Sequence, residues 1–245
     1  MSITLRYPVG QYREGTYTVD ITDPEVVRTM DLTPVFVAMA REQRFANLLP
    51  RGIVYSVLHH STLVSALVRK MGGDLVTVFW ALHHDAHEGA GFRDLPSPVK
   101  QALRDAGCTV YDDLTAAFDR ALMARFGIEL TEDQLALIKK ADGLALRIEQ
   151  NAFQDAKHST EEPFFLDGAK LLYGLGALMP ADQHPEVYGM DAALSSEHML
   201  EDLKAGKTID QVGKEYTDKA KELYAAKLAA SSVARKNNPT AGSLN

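Results

Sequence analysis

Five of the eight histidines crowd into residues 59–87, as His59-His60 and as His83-His84-Asp85-Ala86-His87-Glu88. Imidazole nitrogen and carboxylate oxygen together bind divalent first-row metals such as Mn, Fe, Co, Ni or Zn. Adjacent His84 and Asp85 can reach one ion if the helix end that carries them turns toward it. A His from a preceding helix and an Asp from a later one complete four protein ligands. Asp142 fits the last role: it interrupts the apolar run Ala141-Asp142-Gly143-Leu144-Ala145, and a buried lone carboxylate is costly unless it is paired or metal-bound. Water and a phosphate oxygen can take the remaining positions, and such an ion polarises phosphorus and lowers the pKa of bound water.

The elements that must carry these residues are helical. Asp23-Pro24-Glu25 reads as a helix start, with a helical pattern through Thr33 to Arg44 and a break at Pro50-Arg51-Gly52. Val57, Val64, Leu67, Val68 and Met71 share one stripe of a helix over 56–71, closed by Gly72-Gly73. Asp74 caps a helix over 75–88, stopped by Gly89-Ala90-Gly91. Further helices are predicted near 99–106, 110–126, 132–154 (capped by Thr131), 168–178, 191–204 and 208–233, with a loop over 155–168. The first 23 residues lean toward β, with a short strand or extended lead-in around 16–21. The predicted fold is all-α: a helical bundle in a single domain over 1–235, with C-terminal helices at 168–233 and a disordered tail at 236–245.

Composition narrows the function classes. With 245 residues, 46% hydrophobic and 24% charged, the chain is an ordinary globular protein rather than a disordered or fibrous one. A single cysteine excludes a disulfide framework and a cysteine-based zinc site. A net charge of −7 argues against nucleic acid as a partner, because phosphate neutralisation needs a Lys/Arg surface. No run approaches the roughly 18 apolar residues of a membrane span, and the N-terminus lacks the apolar stretch of a secretory signal. A cytoplasmic location (host cytoplasm for a viral protein), with no membrane partner, is the expectation.

The pattern His60 … His84-Asp85 … Asp142 resembles the HD-domain metal-dependent phosphohydrolases. The longer string His84-Asp85-Ala86-His87-Glu88 followed by Asp94-Leu95-Pro96-Ser97-Pro98-Val99-Lys100 is similar to the bacterial 5'-deoxynucleotidases and their phage relatives, including dATP triphosphohydrolases. Arg44-Phe45 and Tyr55-Ser56-Val57-Leu58-His59-His60-Ser61 match the same branch. The resemblance covers roughly 20–155. It implies an HD-domain helical bundle with one divalent transition metal per chain (Mn, Co, Fe, Ni or Zn), held by His60, His84, Asp85 and Asp142, and Mg accompanying the substrate phosphates. Of the adjacent pair it selects His60 over His59, because Ser61 follows. It implies Glu88, one helical turn beyond His84, as the catalytic acid or base, and Asp94 as a second catalytic carboxylate. Arg44 and Lys100 are implied phosphate contacts. Phe45 packs against sugar or base, or belongs to the core. Five residues separate Glu88 from Asp94, where close relatives are expected to have four. His83 reads as a core or supporting histidine. His87 reads as solvent-facing, or as a support to the ligands or phosphate.

The implied activity is hydrolysis of the 5'-phosphoester of a deoxynucleotide. The products are the deoxynucleoside with triphosphate (from a dNTP such as dATP) or with phosphate (from a dNMP). The short interval between His60 and His84 is more like the compact phage members. Two alternatives stand beside it: an HD phosphodiesterase or alarmone hydrolase, and a non-catalytic nucleotide-sensing module. The implied partners are the small deoxynucleotide substrate and further copies of the chain in a homo-oligomer.

Overall fold

A computed structural model describes residues 2–9, 13–20, 23–49, 54–154, 157–174 and 184–215. The β-leaning start of the chain pairs with itself. Strands β1 (Ser2–Val9) and β2 (Arg13–Asp20) form an antiparallel hairpin with Ser2 opposite Asp20 and Val9 opposite Arg13, a fuller element than the single strand predicted at 16–21. Apart from this hairpin and one bridge between Gln43 and Ser56, the regular structure among the described residues is helical, and the fold class is all-α.

Asp23 caps α1 (Pro24–Thr29), its carboxylate accepting from the Glu25 amide at 2.9 Å. The helical pattern predicted to run on to Arg44 is divided. A second helix, α2 (Thr33–Arg41), begins afresh, because Pro34 lacks an N–H and is tolerated only in a first turn. α2 is almost wholly buried, through Val35, Phe36, Val37, Met39 and Ala40. α3 (Val57–Lys70) packs on α2, α4 (Leu75–His83) and α7 (Glu132–Phe153). Leu58, Leu63, Leu67, Phe79, Leu144 and Ile148 form the core between them. α5 (Ser97–Asp105), α6 (Val110–Phe126), α8 (Phe165–Gly174) and α9 (Pro185–Lys204) follow. α9 starts six residues before the predicted 191, with Pro185 in its first turn.

The predicted helix over 75–88 is shorter, and the difference matters for chemistry. α4 stops at His83; His84-Asp85 form a turn, and Glu88–Phe92 wind into one π-type turn. Gly91 at φ 114° and Arg93 at φ 68° end it. Gly89 lies so close to α2 that a Cβ there would stand 2.5 Å from the Val35 carbonyl oxygen and 2.5 Å from Met39 Cγ. Only glycine permits this approach, which fixes Glu88 against the core.

The chain divides into two compact units, Met1–Glu201 and Asp202–Asn245. In the second, Lys207 bridges Asp202 at 2.8 Å and Glu215 at 2.7 Å, and Thr208 caps a helical stretch over 209–215. The remainder of the helix predicted over 208–233, the end of the one over 168–178 and the tail at 236–245 lie outside the described residues. No helix among the described residues is long and apolar enough to cross a membrane.

Candidate metal centre

Three elements converge on one point inside the first unit. The first turn of α3 brings His60, the turn after α4 brings His84 and Asp85, and the middle of α7 brings Asp142. His60 Nε2 stands 3.0 Å from Asp142 Oδ1 and 3.6 Å from Asp85 Oδ2; His84 Nε2 stands 3.2 Å from Asp85 Oδ2. The two imidazoles lie 5.4 Å apart, centre to centre. His60, His84 and Asp85 each offer a ligand atom, all within 4.8 Å of one another. Asp142 joins them through His60, with its carboxylate at the open side of the cluster (44% exposed).

The second nitrogen of each ring is already held. His84 Nδ1 donates to the Ala81 carbonyl at 2.8 Å, and His60 Nδ1 donates to Glu149 Oε1 at 2.6 Å. Both Nε2 lone pairs are thereby aimed at the cluster, the arrangement that orients ligating histidines. Glu149 is a site residue that the sequence reading missed. It is wholly buried, also accepts from the Tyr55 hydroxyl at 2.8 Å, and lies 3.3 Å from Arg44 Nη2. The signal was there: Glu149 sits two helical turns after Asp142, in the buried stripe Ile138, Ala141, Ala145 and Ile148.

His59 has a different task, and of the His59-His60 pair it is His60 that stands in the cluster. Its Nδ1 accepts the Ser56 amide at 3.1 Å while Ser56 Oγ accepts the His59 amide at 3.4 Å, a reciprocal cap on α3. Its ring is packed between Tyr55 and Tyr188. His83 is core: it bonds the Phe79 carbonyl at 2.8 Å and Ser196 Oγ at 2.9 Å.

Arg44 and Phe45 occupy the turn between α2 and α3, where the Arg44 amide bonds the Tyr55 carbonyl at 3.0 Å. Phe45 and Ala46 take left-handed backbone (φ 57° and 51°), a conformation that costs of order 1 kcal/mol per non-glycine residue. The turn places the Arg44 guanidinium 5.7 Å from the Phe45 ring centre and between Glu149 and Asp85, the latter at 3.9 Å. Arg44 therefore faces the cluster as the buried counter-charge of two carboxylates. On the other side, Glu88 is buried and accepts from Lys100 Nζ at 3.2 Å. Asp94 is half-buried in the loop before α5, close enough to Glu88 and Arg44 to act on their charges. His87 is not solvent-facing: it is 9% exposed, with Nδ1 3.2 Å from Asp119 Oδ1 on α6. Asp119 is the second residue the sequence reading did not single out.

The electrostatics of the cluster are compatible with a cation. Burial works against the charge of His60, and Arg44 opposes it too, yet Glu149 and Asp142 raise its pKa to about 10. Burial works against Asp85 as well, but His84, His60, His87 and Arg44 hold its carboxyl well below the usual carboxylate range. Glu149 and Asp142 stay ionised against burial for the same reason, the positive partners around them. Glu88 goes the other way: burial, then Asp85 and Asp94, push it up to about 8 against the pull of Lys100. A proton on His60 neutralises what a divalent ion would neutralise more fully.

The donor set fits a metal. Among the described residues, six buried side-chain polar atoms have no hydrogen-bond partner, and three of them stand at this cluster: Arg44 Nε, together with His84 Nε2 and Glu149 Oε2, which have only ion-pair contacts, to Asp85 at 3.2 Å and to Arg44 at 3.3 Å. Buried polar groups are nearly always satisfied, so their concentration here points to something the side chains alone do not supply. The two imidazoles and the carboxylate of His60, His84 and Asp85, with Asp142 3.0 Å from His60, are compatible with a divalent first-row metal. No protein-family model and no curated protein matches this chain.

Proposed function

We propose that this chain is an HD-type, metal-dependent phosphohydrolase that cleaves the 5'-phosphoester of deoxynucleotides. One observation carries the reading. His60, His84, Asp85 and Asp142, the residues the family resemblance selects, meet within 3.0–3.6 Å contacts, with His60 braced by a buried Glu149. A divalent transition ion in that donor set supplies Lewis acidity toward a phosphoryl oxygen and a lowered pKa for water.

The chain's own residues supply the rest. Glu88, as the carboxylate, takes the proton of the attacking water; once protonated it can return that proton to the departing sugar oxygen, a poor leaving group as the alkoxide. With its pKa pushed up to about 8 by burial and by Asp85 and Asp94, Glu88 is mainly the acid at neutral pH, and its base form grows as pH rises. Asp94 adds negative charge that keeps Glu88 basic. Lys100, paired with Glu88, and Arg44, whose Nε has no partner, hold the donors that can turn to phosphate oxygens as charge builds in the transition state. Phe45, beneath the Arg44 guanidinium, offers an apolar face to the sugar or base.

Product analysis with Mn or Co tests the reading. Deoxynucleoside with inorganic triphosphate identifies a dNTP substrate, and the compact interval between His60 and His84 favours this outcome, with dATP as the first substrate to try. Deoxynucleoside with orthophosphate identifies a dNMP. Pyrophosphate release without deoxynucleoside, or no turnover of either class with metal bound, overturns it.

A further inference from the structure

We propose that Asp85, His87 and Glu88 form a second divalent-cation site, sharing Asp85 with the cluster of His60, His84 and Asp142. Each of the three offers a ligand atom, and these atoms lie within 4.8 Å of one another. Three ligands on one ion at about 2.0–2.2 Å stand roughly 3–4 Å from one another, so side-chain rotation must draw these atoms together by about 1 Å to close the site. The ring of His87 is pre-set for the role. With Nδ1 against Asp119 Oδ1 at 3.2 Å, Nε2 remains as the donor atom, and a carboxylate behind the ring is the usual support of a ligating histidine.

An independent sign comes from Glu88. Its side chain is 2% exposed; Oε1 accepts from Lys100 at 3.2 Å, while Oε2 is buried with no hydrogen-bond partner. A buried carboxylate oxygen left bare is unfavourable, and a cation satisfies it. Among the ion pairs around Glu88 and His87, Glu88 has Lys100 as its partner at 3.2 Å and Asp119 has His87 at 3.2 Å, while Asp85 is already faced by Arg44, His60 and His84. The Lys100 ammonium, and three protein ligands in place of four, make this the weaker of the two sites. The inference does not rest on the hydrolytic reading. Glu88 can take the water proton only while this weaker site is empty, so on the hydrolytic reading the second ion acts as an inhibitor and not as a cofactor.

The experiment is a Mn(II) titration of the full chain, stripped with chelator, with bound metal measured by equilibrium dialysis and free Mn(II) by electron paramagnetic resonance. Two ions per chain are expected, the second bound at least tenfold more weakly. His87→Gln loses the weaker ion and keeps the tighter one. Asp119→Asn, which leaves His87 in place, weakens the second ion about 10–100-fold and leaves the first unchanged. Asp142→Asn weakens only the tighter ion. Saturation of the wild type at one ion, or two ions still held by His87→Gln, overturns the proposal. If His87→Gln does not fold, as judged by its thermal melt, an unchanged second affinity in Asp119→Asn overturns it instead. One ion that depends on Asp142 but not on His87 removes the second site alone, whereas no bound ion removes both it and the hydrolytic reading.

Discussion

Glu149 is the residue on which the arrangement of the cluster most depends, and Glu149→Gln isolates its charge. The carboxylate accepts from His60 Nδ1 and the Tyr55 hydroxyl through Oε1 and faces Arg44 through Oε2. The amide keeps the volume and one acceptor. It loses the charge that offsets a guanidinium only 11% exposed, whose other carboxylate, Asp85, is 3.9 Å away. Breaking a buried ion pair from one side costs about 3–5 kcal/mol. Because Asp85 remains as a partial counter-charge, the lower end, about 3 kcal/mol, is expected in urea unfolding of the metal-free protein. Metal affinity, measured by competition with a chromophoric chelator at a temperature where the variant is folded, should fall about 10–100-fold, because the acceptor that aims His60 Nε2 loses its charge and can turn its NH2 group to the ring instead. Adding Arg44→Met separates the two effects: stability recovers, since neither charge is left unpaired, while metal affinity does not. A Glu149→Gln protein with wild-type metal affinity, or a double variant that recovers affinity along with stability, refutes the positioning role.

Three further outcomes follow from the geometry. Burial lowers His59 and His83 to pKa values of about 4; the unfolded chain binds these protons from about 6.5 downward. Stability is therefore full above pH 6.5 and is lost as pH falls toward 4, by about 5 kcal/mol at pH 4.5 for the two together; a urea midpoint unchanged between pH 7 and 4.5 contradicts this. If Glu88 is the base, kcat/KM rises with pH through an acidic limb, and Lys100→Met, by removing the charge that lowers the Glu88 pKa, moves that limb to higher pH; a stationary or lowered limb takes Lys100 out of that role. Gly89→Ala forces a Cβ to 2.5 Å from the Val35 carbonyl oxygen, so a loss of about 3 kcal/mol is expected in unfolding, together with weaker metal binding as the Glu88–Phe92 turn is displaced; full stability in this variant would show that the turn can shift away from α2.

The candidate ligand positions were legible because each is chemically conspicuous where it stands. His60 and His84-Asp85 lie in a dense His/Asp stretch, and Asp142 interrupts an apolar stripe. α3 was readable from its spacing and α7 from its cap as well, since Thr131 caps where expected. What failed was continuity. The run from Asp23 to Arg44 looks like one helix until Pro34 is given its missing donor, and α4 looks long enough to carry Glu88 as a regular fourth-residue neighbour of His84. The chain instead leaves the helix at His83, so the facing of Glu88 is set by a π-type turn and by Gly89 against α2. That contact is tertiary, and no local pattern announces it.

Supporting residues are harder to read than ligands for a general reason. A ligand must be His, Asp or Glu, but the group that orients it need only bring an acceptor to the far side of the ring, from any element that passes there. The backbone of Ala81 serves His84, Glu149 serves His60 and Asp119 serves His87. Two of these three come from helices far along the chain from the histidines they hold. Arg44 shows the same limit in reverse. A guanidinium beside an aromatic residue reads as an anion clamp, yet in the fold its charge is already matched by Glu149 and Asp85. Its strength as a phosphate donor therefore depends on how far a metal draws Asp85 away from it. On the proposed hydrolytic reading, metal occupancy and substrate affinity are coupled through one carboxylate, and a metal-free protein should bind the substrate phosphates less well than the charge of Arg44 alone suggests.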